Sequence, residues 1–284
     1  MKKVVLNEKV FKKTFKNKKL GKKYSARVIS DYLGEDYEDV YNNLKIGGEE
    51  LAFSALTVNS AADIIYYDDA TYFNIELNFY NTPSKNKQIE SYVYQLYLGQ
   101  LHTHKNYNNI KKIIQISIDS YDYFGKNDFM YKVRLIEEKY HLPYNDKIEM
   151  VHLNLDYLRK VDYNEIRKGK NKLMKDVYFL TCNDENILNE VYLKDNLMKE
   201  IVEETKKIAG IEKMDLYLTD EEMIKQDQEF IRKQSFKEGM LQGIENEKIE
   251  IAKKMLKEKI PIEMIIKITN LSHKEIENID IKEN

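Results

Sequence analysis

The chain has 284 residues, 42% of them hydrophobic and 33% charged, with a net charge of −2, a composition that fits one or two globular domains with a sizeable core. The longest apolar runs, such as Ile113 to Ile118, fall far short of the roughly 18 residues a membrane span requires, and the lysine-rich start lacks the apolar stretch of a secretory signal. With a single cysteine, Cys182, there is no internal disulfide framework, so a cytoplasmic protein with no membrane partner is expected.

Between Met1 and Lys23 ten lysines stand against Glu8 alone, a local charge of +9. Clustered lysines can neutralise phosphates through counterion release; the plain alternative is a solvated or frayed terminus. The stretch YSARVISDYL, from about Lys23 to Leu33, has helical spacing and stops at Gly34, which predicts a first core helix. From Glu50 to Tyr80 the period drops to two, with DDAT as a turn, and predicts sheet. A helix follows from about Lys87 to His104, where Ile89, Tyr92, Val93, Leu96, Tyr97 and Gln100 recur at steps of three and four. KKIIQISID reads as an interior strand, and FMYKVRLIEEK and KIEMVHLNLD complete the sheet. Beyond about Tyr157 nearly everything reads as helix. The predicted architecture is α/β to about Asp156 followed by an all-α extension, divided as residues 1–156, 157–217 and 218–284.

The segment AADIIYYDDATYFNIELNFY, Ala61 to Tyr80, fixes a hairpin register. With Asp69 and Ala70 as loop residues, Tyr67 faces Tyr72, Ile65 faces Asn74 and Asp63 faces Glu76. A loop longer or shorter by two residues shifts the partner but leaves both acids on one face, because side chains alternate. That face carries Asp63, Ile65, Tyr67, Tyr72, Asn74, Glu76 and Asn78; the other is apolar throughout, from Ala62 and Ile64 to Ile75 and Phe79. Like charges facing each other cost a few tenths to about 1 kcal/mol, more when shielded. A shared proton or a divalent cation would offset that cost, and plain solvation of both acids is the simpler account.

The order helix, hairpin, helix and IIQISID strand resembles the core of the PD-(D/E)XK nuclease superfamily, and specifically its recombination-promoting nuclease and transposase branch. Ala62-Asp63 stands at the Pro-Asp element and Glu76-Leu77-Asn78 at the Glu-x-Lys element, while Asn74 to Leu77 resembles the Asn-Ile-Glu-Met phrase common in the branch. SYVYQLYLGQLHTHKNYNNIKKIIQISI also resembles the branch's Tyr-rich helix leading into its next strand. This resemblance implies a restriction-endonuclease-like core, a mixed sheet flanked by helices. It further implies hydrolysis of DNA phosphodiester bonds with Mg²⁺, or Mn²⁺ in its place, held by Asp63 and Glu76, with Asn78 helping to place the attacking water. Two departures bear on this. Asn78 replaces the usual lysine, and a neutral amide can only hydrogen-bond where lysine could also stabilise charge. The first helix offers no unambiguous acid, Asp31 being the best placed and Glu35 behind it. The alternative is therefore a protein that keeps the fold and binds DNA or itself without cleaving, and a third reading is a protein-interaction module.

Other signals are weaker. Gln95 can point toward the site or lie on ordinary surface. His102 and His104 diverge by about 200° on a helix, which disfavours a shared metal. Cys182 has no neighbouring histidine and reads as packing; no phosphate-binding G-x-x-x-x-G-K-[ST] loop occurs. Near the C-terminus, Ile231, Leu241, Ile244, Ile251 and Met255 form a narrow stripe on a long charged helix, a surface for self-association. Gly239 and Gly243 within it suggest a hinge or a close helix contact. Pro261 and the capping box Ser272 to Glu275 then predict two short helices, which resemble the helix-turn-helix-like tail of the family.

Overall fold

The computed structural model describes residues 4–46, 64–79, 81–103 and 107–279. From Val4 onward the lysine-rich start is a built part of the core. Val4–Leu6 forms β1, and Asn7 caps α1 (Glu8–Phe15) by accepting a hydrogen bond from the Lys9 amide at 3.0 Å. Val10, Phe11, Thr14 and Phe15 recur at steps of three and four and are buried, while the lysines between them face outward. Phe15 stacks on Tyr24 of α2 (Leu20–Leu33) with ring centroids 4.4 Å apart. The tight α1–α2 junction requires glycine at position 21, because a Cβ there would lie 1.9 Å from the Phe15 carbonyl oxygen. Lys12 pairs with Glu8 and Lys23 with Glu200, each at 2.7 Å, and Lys13 pairs with Glu212. The frayed-terminus reading is thus corrected: the lysine count concealed an apolar stripe of strand and then helical period.

As predicted, α2 ends at Gly34, which adopts a left-handed φ of 74°. After α3 (Tyr37–Asn43), capped by Asp36, come β2 (Lys45–Ile46), β3 (Ile64–Tyr67) and β4 (Thr71–Asn78). The β3–β4 register pairs Tyr67 with Tyr72, Ile65 with Asn74 and Ile64 with Ile75, as the two-residue loop requires. Asp68 closes that loop, its side chain accepting from the amides of Ala70 and Thr71 at 2.7 Å each. Then α4 (Pro83–Thr103) crosses to β5 (Lys112–Asp119), followed by the hairpin of β6 (Met130–Ile136) and β7 (Pro143–Asn154). The sheet order is β2-β3-β4-β5-β7-β6, with β4–β5 and β5–β7 parallel and the other pairs antiparallel. KIEMVHLNLD stops being strand at Asn154, whose side chain caps α5 (Leu155–Leu158).

One sheet face, with Tyr66, Phe73, Ile75, Leu77, Ile114, Ile116, Ile118, Val151 and Leu153, packs on the main core with α1 and α2. The following helices belong to this same core: α6 (Tyr163–Lys168), α7 (Lys172–Tyr178), α8 (Glu185–Val191) and α9 (Asn196–Ile211). A short β8 (Tyr217–Thr219) then pairs antiparallel with β1, Val5 opposite Leu218. Residues 157–217, expected as a helical region of their own, therefore fall with the sheet in one compact unit, Met1–Met223. Cys182 is buried there, and burial pushes its thiol pKa up, which suits a packing residue.

The second unit is Ile224–Asn284. The long helix α10 (Asp220–Lys257) leads into α11 (Ile262–Thr269) and α12 (His273–Glu277), and Ala252, Ile265, Leu271 and Ile276 make a small core. Pro261 stands at the N-cap of α11, Asn270 ends it with φ 58°, and the predicted Ser272–Glu275 capping box is formed. Ile231, Leu241, Ile244 and Ile251 are exposed, whereas Met255 packs on the small core. α10 runs unbroken through Gly239 and Gly243, and a Cβ at either would meet nothing within 4 Å. Neither the hinge nor the close contact is seen among the described residues. No helix among them is long and apolar enough to cross a membrane.

Candidate active site

The second sheet face is divided. At one end, Val93 and Leu96 of α4 pack on Ile113 and Ile148, joined by Ile65, Tyr72 and Met150. At the other end the face turns polar, because the alternate residues of three neighbouring strands are polar in register. Asn74 lies beside Gln115, Glu76 beside Ser117 and Asn78 beside Asp119; across β5, Ser117 lies beside His152 and Asp119 beside Asn154. All eight of these side chains are buried. Glu76 is 1% exposed, so its carboxylate must be compensated by a proton, a cation or hydrogen bonds.

Hydrogen bonds tie the rows together. Asn74 Nδ2 donates to Gln115 Oε1 at 2.7 Å, and Asn78 Nδ2 donates to Asp119 Oδ1 at 3.0 Å. The second Asp119 oxygen lies 2.8 Å from His152 Nδ1. Tyr123 packs on the His152 ring at 4.1 Å between centroids, and Phe124 meets the same ring edge-on at 5.8 Å. The loop after β5 is pinned, Ser120 donating to the Asn78 and Phe79 carbonyls at 2.8 and 2.7 Å. Burial first, then the charge of Asp119 and more weakly that of Glu76, pushes the Tyr121 phenol far above its ordinary pKa, so it remains a neutral hydroxyl.

Of the sequence-predicted residues, Glu76 and Asn78 are brought together on β4, and Asp63 lies outside the described residues. Asp31 points elsewhere. It sits 3.3 Å from Arg27, which also binds Asp176 and Asp195 at 3.1 Å each, a cluster between α2 and the later helices. α2 packs on the Phe73 and Ile75 side of the sheet, opposite Glu76, and Glu35 is exposed beyond its C-cap. Gln95 is half-buried on α4; His104 lies outside the described residues, as does the side chain of His102.

Asp119 and His152 were not singled out in the sequence, although a signal was present. In KIIQISID the residues Gln115, Ser117 and Asp119 alternate with Ile114, Ile116 and Ile118, and in MVHLN His152 and Asn154 alternate with Val151 and Leu153, so each of these strands carries a polar face.

The donor set fits a hard divalent cation: a buried carboxylate at Glu76 flanked by the amide oxygens of Asn74 and Asn78, both buried and without a hydrogen-bond partner among the described residues. Both Asp119 oxygens are engaged, and no group of three or more His, Cys, Asp or Glu side chains able to hold a metal occurs among the described residues. A family model described as PD-(D/E)XK nuclease family transposase matches residues 6–234. No curated protein and no solved structure matches the chain significantly.

Proposed function

We propose that this chain, which belongs to the PD-(D/E)XK nuclease family of transposases, is an endonuclease that hydrolyses DNA phosphodiester bonds at the Glu76 end of β4 with Mg²⁺ or Mn²⁺. The family supports a nuclease or transposase type of function, and its mixed six-stranded sheet flanked by helices is the restriction-endonuclease-like fold. The observation that carries the finer reading is the burial of Glu76 between two amide oxygens that nothing else among the described residues satisfies. In the proposal Asp63 and Glu76 hold the cation. When bound, it supplies Lewis-acid polarisation of the phosphoryl oxygen and a more acidic water. Asn78 would help place the attacking water through its amide, and neutral Tyr121 keeps the neighbourhood of Asp119 and Glu76 from gaining a further negative charge.

The second reading, a DNA-binding or self-associating protein without cleavage, is favoured by one observation: Asn78 stands where the motif has lysine. Incubation of supercoiled plasmid with purified protein in Mg²⁺, in Mn²⁺ and in EDTA tests the proposal. Open-circular or linear product that needs the metal is expected. A folded protein that retards DNA in a salt-dependent way and leaves the plasmid intact in both metals would favour the second reading.

A further inference from the structure

The amide of Asn78 has a definite orientation, and its cause lies outside β4. Asn78 lies 3.0 Å from one Asp119 oxygen, and the other Asp119 oxygen lies 2.8 Å from His152 Nδ1; with Asp119 as the carboxylate both of its oxygens are acceptors, so the Asn78 atom that faces it is the NH₂. The opposite flip would set two acceptors against each other. Asn74 is not fixed in this way, because its partner is the Gln115 amide and the two amides could exchange roles together. The consequence for Asn78 is a carbonyl oxygen turned away from β5, on the sheet face that carries Glu76, buried and lacking a hydrogen-bond partner among the described residues. Leaving such a group unmet costs about 1–3 kcal/mol, so a fold that holds it in place has a use for an acceptor there.

We infer that Asp119, locked by His152, is a positioning residue that presents the Asn78 carbonyl oxygen as an acceptor to the cation or its bound water beside Glu76. This rests on the nuclease reading above. Lysine at this position would offer only donors; Asn78 held by Asp119 leaves its carbonyl oxygen free for the site, and the chemistry that oxygen can do is to ligate or to take a hydrogen bond from water. The aromatic shell of Tyr123 and Phe124 holds the His152 ring, and through it the carboxylate. The Asp119 and His152 side chains act through Asn78.

The test uses full-length protein labelled with ¹⁵N at asparagine, with Asn78→Ser to assign the Asn78 side-chain NH₂ signals. In wild type one of its protons is expected to exchange slowly with solvent. Asp119→Asn, and as a second variant His152→Gln, should remove or reduce that protection while thermal unfolding shows a folded protein. Calorimetric titration with Mn²⁺ as the probe should show affinity lowered roughly 10–100-fold in Asp119→Asn, the usual effect of losing a partner that orients a ligand. Unprotected Asn78 protons in wild type would overturn the inference, and so would Mn²⁺ affinity unchanged in a variant that has lost the protection. Protection in a wild type that neither binds Mn²⁺ nor nicks DNA would instead overturn the nuclease reading and leave the hold of Asp119 on the amide standing.

Discussion

Replacing Phe11 by alanine tests whether the lysine-rich start is structure or fringe. The ring is fully buried, 4.5 Å from Phe15, which stacks on Tyr24, whose ring in turn meets Phe179 edge-on at 5.6 Å. The chain of rings ties the first helix to the second and to the later helical region. Truncating a buried phenylalanine costs about 3–5 kcal/mol in lost transfer energy and residual cavity. For a unit of this size each kcal/mol lowers the melting temperature by about 2–4 °C, so a fall of about 6–20 °C is expected. Thermal unfolding followed by near-ultraviolet circular dichroism reads the aromatic cluster directly. Lys18→Ala, on an exposed side chain of the same segment, should stay within about 0.5 kcal/mol of wild type and serves as the control. A fall of less than about 2 °C in Phe11→Ala would refute the packing of this segment.

Two further outcomes concern buried acids on this same side of the sheet, away from Glu76. Burial opposes the charge of Glu149, yet the Tyr32 hydroxyl, Lys112 at 3.2 Å and Arg134 at 2.6 Å outweigh it and hold its pKa below the ordinary value. Its stabilisation is present above the unfolded pKa and lost as pH falls through the depressed folded value. Glu149→Gln should therefore cost roughly 1–3 kcal/mol near neutral pH, with the gap to wild type closing in acid, as chemical denaturation at several pH values would record. Asp176 is the opposite case. Burial first, then its hydrogen bond to Asp31, raises its pKa, with Arg27 opposing. Its contribution is full below the unfolded pKa and lost as pH rises through the raised folded value, so Asp176→Asn should gain on wild type as pH climbs from the carboxylate range to neutral. A variant whose deficit is the same at every pH would show that the proton is not shared in this way.

How much of this was legible in the sequence depends on how local each feature is. The β3–β4 register could be read because a two-residue turn and strict alternation fix it within the short span from Ile64 to Ile75, and Gly34, Asn154, Pro261 and Ser272 mark boundaries through their own backbone preferences. The pairing of Asn78 with Asp119 and of Asp119 with His152 could not, because parallel strands joined through a long helix or hairpin carry no turn that sets their offset. β1 was missed for the same reason, its partner β8 lying more than 200 residues away. Charge count misled at the N-terminus, where ten lysines drew attention from Val10, Phe11 and Phe15. Asp31 looked like a first-helix acid until its ion pair with Arg27 tied it to the cluster with Asp176 and Asp195.

The most direct measurement is the nicking of supercoiled plasmid by wild type, Asp63→Ala and Glu76→Ala in parallel, with Mg²⁺ and with EDTA, each variant first shown to be folded. The account predicts metal-dependent nicking by wild type that disappears in both variants. Equal nicking by wild type and Glu76→Ala would contradict it, because the buried carboxylate of β4 would then hold nothing the reaction needs.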